Sequence, residues 1–235
     1  MARESRLSRF FPDQGRFLIL TVTLFGLLLA YPFWSRDALG LATFDLVFWG
    51  VILASIYAVS EKRWTFWTSL SLAVPALLSD ITVYFFRENW LVLTSCLLDL
   101  IFLVFVTGVV IAYVVRQEHI SMDKVLGAIS GYLLIGLVWA LIYGALELSQ
   151  PGSFRLVSDP GGGSIMGHSV PHWGDLDNFI YYSLVTLSTL GYGDIVAVTR
   201  EARSWSAVEA IVGQLYLAIL LARLIGLQLR QSRNS

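Results

Sequence analysis

"TLSTLGYGDI", residues 186–195, is the stretch on which the reading of the whole chain turns. Gly191 and Gly193 flank Tyr192, three hydroxyl residues (Thr186, Ser188, Thr189) come before them, and Asp194 follows. Such a polar run needs a reason in a chain whose mean hydropathy is +0.69. Glycines spaced by one residue admit positive φ at alternate positions without a Cβ clash. Alternating handedness turns successive carbonyls to one side, where an ordinary strand sends them to opposite sides. A row of carbonyl oxygens, joined by the Thr189 hydroxyl, can replace the hydration shell of a monovalent cation without any carboxylate in its path.

The residues before this stretch point the same way. "DLDNFIYYSLVTLS", 175–188, opens on Asp175 and Asp177, either of which suits a helix start near the positive end of the dipole. A helix over 177–188 would be about 18 Å long, too short to cross a ~30 Å hydrocarbon core. Phe179, Ile180, Tyr182, Leu184, Val185 and Leu187 are nevertheless too apolar for an exposed loop. A re-entrant helix satisfies both facts. Irregular backbone at membrane depth survives only where it is buried in protein or lines a water-filled cavity.

The rest of the chain reads as membrane protein. Of 235 residues 56% are hydrophobic and 14% charged, well below the quarter or so charged in soluble domains. Six apolar stretches reach spanning length: about 17–34, 41–60, 64–86, 90–115, 125–148 and 205–229. The basic start (Arg3, Arg6, Arg9, Arg16) has no small-residue cleavage site after it, so the first stretch is expected to be retained. With the N-terminus inside, eleven of the sixteen Lys and Arg residues fall on or near the cytoplasmic side, which places both termini there. Trp34, Trp90, Trp173 and Trp205 then lie near the outer interface and Trp64 and Trp67 near the inner one. The net charge of −1 gives no reason for a nucleic-acid partner, and the lone Cys96 allows no intrachain disulfide. The link 149–176 is rich in glycine, proline and serine and is expected to be an irregular surface loop. His168 and His172 in it are read as exposed loop residues rather than ligands, because a spacing of four has no metal meaning outside a helix.

Thr189-Leu190-Gly191-Tyr192-Gly193-Asp194 resembles the filter of the tetrameric potassium-channel family, T-V-G-Y-G followed by Asp. The resemblance covers roughly 125–229. It implies an all-α membrane protein of six transmembrane helices with a re-entrant pore helix and filter, assembled as a homotetramer around K+ ions. Its parts would be a cytoplasmic segment 1–16, a four-helix domain 17–116, and a pore domain 125–229. The pore domain divides into an outer helix 125–148, loop 149–176, pore helix 177–188, filter 189–193 and inner helix 205–229, with a cytoplasmic tail 230–235. The resemblance implies that residues 189–193 coordinate K+ through their carbonyls and the Thr189 hydroxyl, and that Tyr181 and Tyr182 brace the filter. Asp194 would support the outer mouth. Leu190 stands where the family has valine, and its side chain should point away from the ions. Val185 stands where some bacterial channels carry a glutamate, which removes one acidic partner of Asp194. Gly213 occupies the place of a hinge glycine. No cofactor is implied beyond the K+ ions themselves.

A six-span subunit invites comparison with voltage-gated channels, whose fourth span carries arginines because each charge gains about 2.3 kcal/mol per 100 mV. Here the fourth span has no arginine and carries Asp99, while the third carries Asp80. An arginine-based sensor is therefore not expected. Asp45, Asp80 and Asp99 are read first as packing residues bonded to neighbouring helices; the sharper reading makes Asp80 and Asp99 a proton- or cation-sensing site. In the last span Gln214, Leu217, Leu221 and Ile225 form a stripe at helical spacing that suits a pore lining. Arg223 lies off it and is expected to snorkel. Glu147 and Glu209 are candidates to brace the filter from behind. With only "RQSRNS" after Leu229, gating by a ligand-binding module would need a separate protein.

Two other functions fit parts of the pattern. A nonselective cation channel would use the same scaffold. Gly191-Tyr192-Gly193-Asp194 also satisfies the G-x-G-D of intramembrane aspartyl proteases, which need a second aspartate held in the opposite protonation state. Pro75-Ala76-Leu77 matches that family's "PAL", but on the wrong side of the motif, and no Tyr-Asp pair accompanies it. The chain is therefore expected to be a multi-pass protein of the cell membrane that conducts ions, and not an enzyme.

Overall fold

The computed structural model describes residues 15–30, 38–86, 88–116, 121–157 and 176–233. Seven helices run through it: α1 (Arg16–Ala30), α2 (Ala38–Ala58), α3 (Arg63–Phe86), α4 (Asn89–Arg116), α5 (Met122–Ser149), α6 (Leu176–Leu187) and α7 (Arg200–Arg233). Two three-residue strands, β1 (Phe154–Leu156) and β2 (Ile195–Ala197), complete the order, β1 between α5 and α6 and β2 between α6 and α7.

Long apolar runs become helices because each backbone N–H finds its carbonyl within the segment. Among the described residues four helices are long and apolar enough to cross a membrane, namely α3, α4, α5 and α7. The apolar stretches described in α1 and α2 are shorter, Arg16–Leu29 and Leu46–Ala58. Four spans, where six were expected, therefore stand by length and composition. α5 begins at an N-cap: Ser121 is extended (φ −126°, ψ 160°) and its side chain accepts the Lys124 N–H.

Packing divides into two groups joined through α5. α4 lies along α5, α3 lies along α4, and α1 packs on both α2 and α5. Thr21 of α1 and Ser130 of α5 share a hydrogen bond of 2.8 Å. On its other side α5 carries α6, which in turn touches α7. The core runs continuously from Leu20, Leu24 and Leu27 of α1 through Phe102, Leu103 and Val106 of α4 to Leu134, Leu141 and Tyr143 of α5.

The link 149–176 differs from expectation in its described part. Residues 154–156 form β1, antiparallel to β2, with Phe154 opposite Ala197 and Leu156 opposite Ile195. Phe154 of β1 is fully buried. His168, His172, Asp175, Trp34 and Trp173 lie outside the described residues, and Asp45 outside the described side chains. Trp64, Trp67, Trp90 and Trp205 all keep substantial exposure near helix starts.

Candidate functional site

α6 starts one residue earlier than expected and also ends one earlier, at Leu187, with Asp177 in its first turn. Beyond it the chain closes in a Schellman-type cap. Thr189 N–H donates to the Thr186 carbonyl (2.9 Å) and Leu190 N–H to the Val185 carbonyl (2.9 Å). Thr189 itself is left-handed, φ 59°, an unusual state for a β-branched residue that costs about 1–2 kcal/mol. Gly191 (φ 57°) and Gly193 (φ 78°) repeat the left-handed state, whereas Leu190 and Tyr192 do not. The sign of φ thus alternates along all five residues 189–193. Alternation is the backbone condition for carbonyls aligned on one side. Leu190 and Tyr192 are 57% and 67% exposed, so this strand is uncovered by its own chain.

Support comes from behind and from above. Tyr181 donates to the Asp194 carboxylate (2.6 Å), which also accepts the Ile195 N–H (3.0 Å). The Tyr181 hydroxyl beside it, with the backbone N–H, holds the Asp194 carboxyl below its ordinary range. No second carboxylate is among these partners, so the two-aspartate arrangement of a protease is not met there. Tyr182 points the other way, to Ser206 of α7 (2.7 Å); Ser206 donates to the Ala202 carbonyl, so the tyrosine is the donor. Val185 supplies its carbonyl to the cap and its buried side chain to the space behind the strand.

Three residues that carry much of this support, Tyr143, Phe154 and Ser183, were not singled out in the sequence. Tyr143 (α5), Phe154 (β1) and Tyr182 (α6) form a cluster with ring centroids 5.2 Å apart for each pair. Phe179 joins Phe154 at 5.3 Å. Ser183, on the buried face of α6, bonds both the Gly136 carbonyl (2.7 Å) and the Glu209 carboxyl of α7. Tyr143 donates to the other Glu209 oxygen (2.5 Å). Fully buried Glu209 therefore ties the outer helix, the short helix and the last helix at one point. Glu147 accepts the N–H groups of Gly152 (2.8 Å) and Phe154 (3.0 Å) and so shapes the turn into β1. The available signals were a phenylalanine in a glycine-rich loop and polar side chains in apolar helices, which must find partners in a membrane.

Gly213 sits where α7 passes the end of α6. A Cβ there would lie 2.3 Å from the Leu187 carbonyl oxygen, so close approach alone demands glycine. Gln214, Leu217, Leu221 and Ile225 are all exposed along α7. Asp80 of α3 and Asp99 of α4 lie elsewhere: Asp80 is bonded by Trp49 and Ser95, and no hydrogen bond among the described residues reaches the Asp99 carboxyl.

Comparison with known proteins agrees with this geometry. The family described as "Ion channel" matches residues 131–227, from α5 through the short helix and strand to α7. A voltage-gated potassium channel of Escherichia coli (strain K12), Kch, is 25% identical over 218 residues, which is 92% of this chain and 46% of that relative. The chain thus spans about half the length of the curated relative it matches. No solved structure matches it. Residues 131–227 are thus similar to the ion-channel family, and the chain at large is distantly similar to a potassium channel.

Proposed function

We propose that four copies of this chain surround one pore and conduct K+ passively across the cell membrane. The observation that carries the reading is the alternating φ of Thr189–Gly193 at the end of a short apolar helix. Four such strands would offer rings of carbonyls and a ring of Thr189 hydroxyls to dehydrated K+. Two features support a tetramer. The strand is open on one side, and α7 leaves Val208, Ile211, Leu215, Leu217, Ile219, Leu221 and Ile225 exposed on more than one face. Lipid can cover one face and neighbouring copies the others. The stripe of Gln214, Leu217, Leu221 and Ile225 lines the inner pore in this reading, with Gly213 seated against the pore helix.

The full topology belongs to the same proposal: six spans, α1 and α2 included, with both termini cytoplasmic. Gating does not use an arginine-based voltage sensor, because α4 has no arginine before Arg116 at its end. A nonselective cation channel is the second reading, favoured only by Leu190 in place of valine. Flux into vesicles holding the reconstituted chain, measured under K+ and then Na+ gradients, separates the two.

A further inference from the structure

A cavity of about 780 Å³ opens between α1, the link from α2 into α3, and α4, and none of its walls belongs to the strand 189–193 or its supports. Its size falls within the roughly 300–1,000 Å³ of clefts that hold ligands. The floor is apolar: Phe17 of α1, Val59 after α2 and Val110 of α4 are all buried. The rim is open, with Trp64 70% and Val104 51% exposed. Trp64 stands edge-on to Phe105 of α4 at 6.2 Å. Gly108 of α4 faces this space, and a Cβ added there would meet nothing within 4 Å. Glycine inside a helix is less stable than alanine, and no close neighbour demands this one. Ala112 lines the cavity one turn further on, so two small residues keep it deep.

Polarity changes along this groove. From Val104 to Arg116 it follows α4 for about 18 Å, slightly more than one leaflet of a ~30 Å hydrocarbon core. Its charges gather at one end, where α3 begins and α4 finishes: Lys62, Arg116 and Glu61. Two cations face one carboxylate there, and among the described residues no ion pair or side-chain hydrogen bond engages any of the three. Trp64 and Trp67, both more than half exposed, mark that end as the membrane interface. A membrane lipid matches this gradient. An acyl chain suits an apolar groove one leaflet deep, and a phosphate at its interfacial end meets Lys62 and Arg116. Basic pockets between membrane helices hold anionic headgroups in this way. A zwitterionic lipid brings a cation of its own to the same two and loses the advantage.

We propose that the groove between α1, α3 and α4 binds one anionic phospholipid, with its phosphate between Lys62 and Arg116 and an acyl chain along Gly108 and Ala112. The site needs α3 and α4 to span the bilayer and is independent of ion conduction.

The test is thermal unfolding of the full chain in detergent with phosphatidylglycerol, phosphatidylcholine of the same chains, or glycerol 3-phosphate added. A ligand that binds the folded state raises the midpoint. The wild type should rise with phosphatidylglycerol well above phosphatidylcholine, and should not respond to glycerol 3-phosphate. Lys62→Gln combined with Arg116→Gln, both exposed side chains, should weaken the anionic lipid about 30-fold and remove its preference over phosphatidylcholine. Gly108→Leu fills the groove without a clash at its Cβ, so it should keep the wild-type midpoint in the absence of lipid and lose the rise. Equal rises with both lipids in the wild type, or no rise with phosphatidylglycerol, would overturn the proposal. So would a phosphatidylglycerol response left intact in both variants, or a rise with glycerol 3-phosphate that Gly108→Leu leaves unchanged.

Discussion

Replacing Gly213 by alanine separates close packing from hinge bending as the reason for that glycine. The added Cβ would lie 2.3 Å from the Leu187 carbonyl oxygen and 2.9 Å from its Cδ1, where contacts below 3.0 Å are essentially never seen. The neighbouring atom is backbone, so no rotamer change relieves the clash; α7 and the end of α6 must separate by about an ångström. Overpacking of this kind costs about 1–3 kcal/mol, or a factor of about 5 to 150 in an equilibrium constant. The strain falls two residues before Thr189, whose left-handed backbone depends on bonds to Thr186 and Val185 in that same turn. Ions bound to the strand stabilise the folded state in proportion to their occupancy. Thermal unfolding of Gly213→Ala in increasing K+ should therefore show a lower midpoint and a weaker K+-dependent rise than the wild type. A hinge role alone predicts altered opening with the K+-dependent rise intact. That second outcome would refute the packing argument.

Other residues make separate predictions. Glu209→Ala leaves the buried Tyr143 hydroxyl without its carboxyl acceptor, at about 1–3 kcal/mol, while Ser183 keeps the Gly136 carbonyl; a double-mutant cycle of Tyr143→Phe with Ser183→Ala should show coupling of about 0.5–3 kcal/mol, and strict additivity would contradict the shared junction. Asp194 is held below the ordinary carboxylate range by Tyr181, so its contribution is present above its unfolded pKa and is lost as pH falls through the depressed folded value. Tyr181→Phe moves that loss to higher external pH, which flux measured against outside pH would reveal; an unchanged profile counts against the bond. Glu147→Ala frees the Gly152 and Phe154 N–H groups, and amide exchange should quicken at both 154–156 and 195–197 because the strands are paired.

The parts of this molecule that were legible in the sequence are those set by local chemistry. Gly191 and Gly193 announce left-handed backbone, and a short apolar helix before them follows from a run too greasy for a loop and too short to span. Tyr181 and Asp194 could be read as neighbours of the strand, although which tyrosine reaches the aspartate depended on how α6 is rotated. What stayed hidden depends on contacts between distant segments. Phe154 makes a strand only because Tyr143, Phe179 and Tyr182 await it, and three residues carry no periodicity. Gly213 has the same letter whether it bends or is pressed upon, and only the position of Leu187 distinguishes these. Thr189 is the instructive exception: no propensity places a β-branched residue at positive φ, but the helix cap over residues 185–190 does. For Asp80 and Asp99, membrane burial marks them as costly, whereas the bonds of Asp80 to Trp49 and Ser95 depend on helix register.

The central claim is that residues 189–193 form a K+-selective path. Reconstituting the chain in vesicles and comparing flux under equal K+ and Na+ gradients tests it most directly. The account predicts K+ flux well above Na+ flux, abolished by Gly191→Ala, which places a Cβ at φ 57° in the strand. Equal K+ and Na+ permeability in the wild type would contradict it.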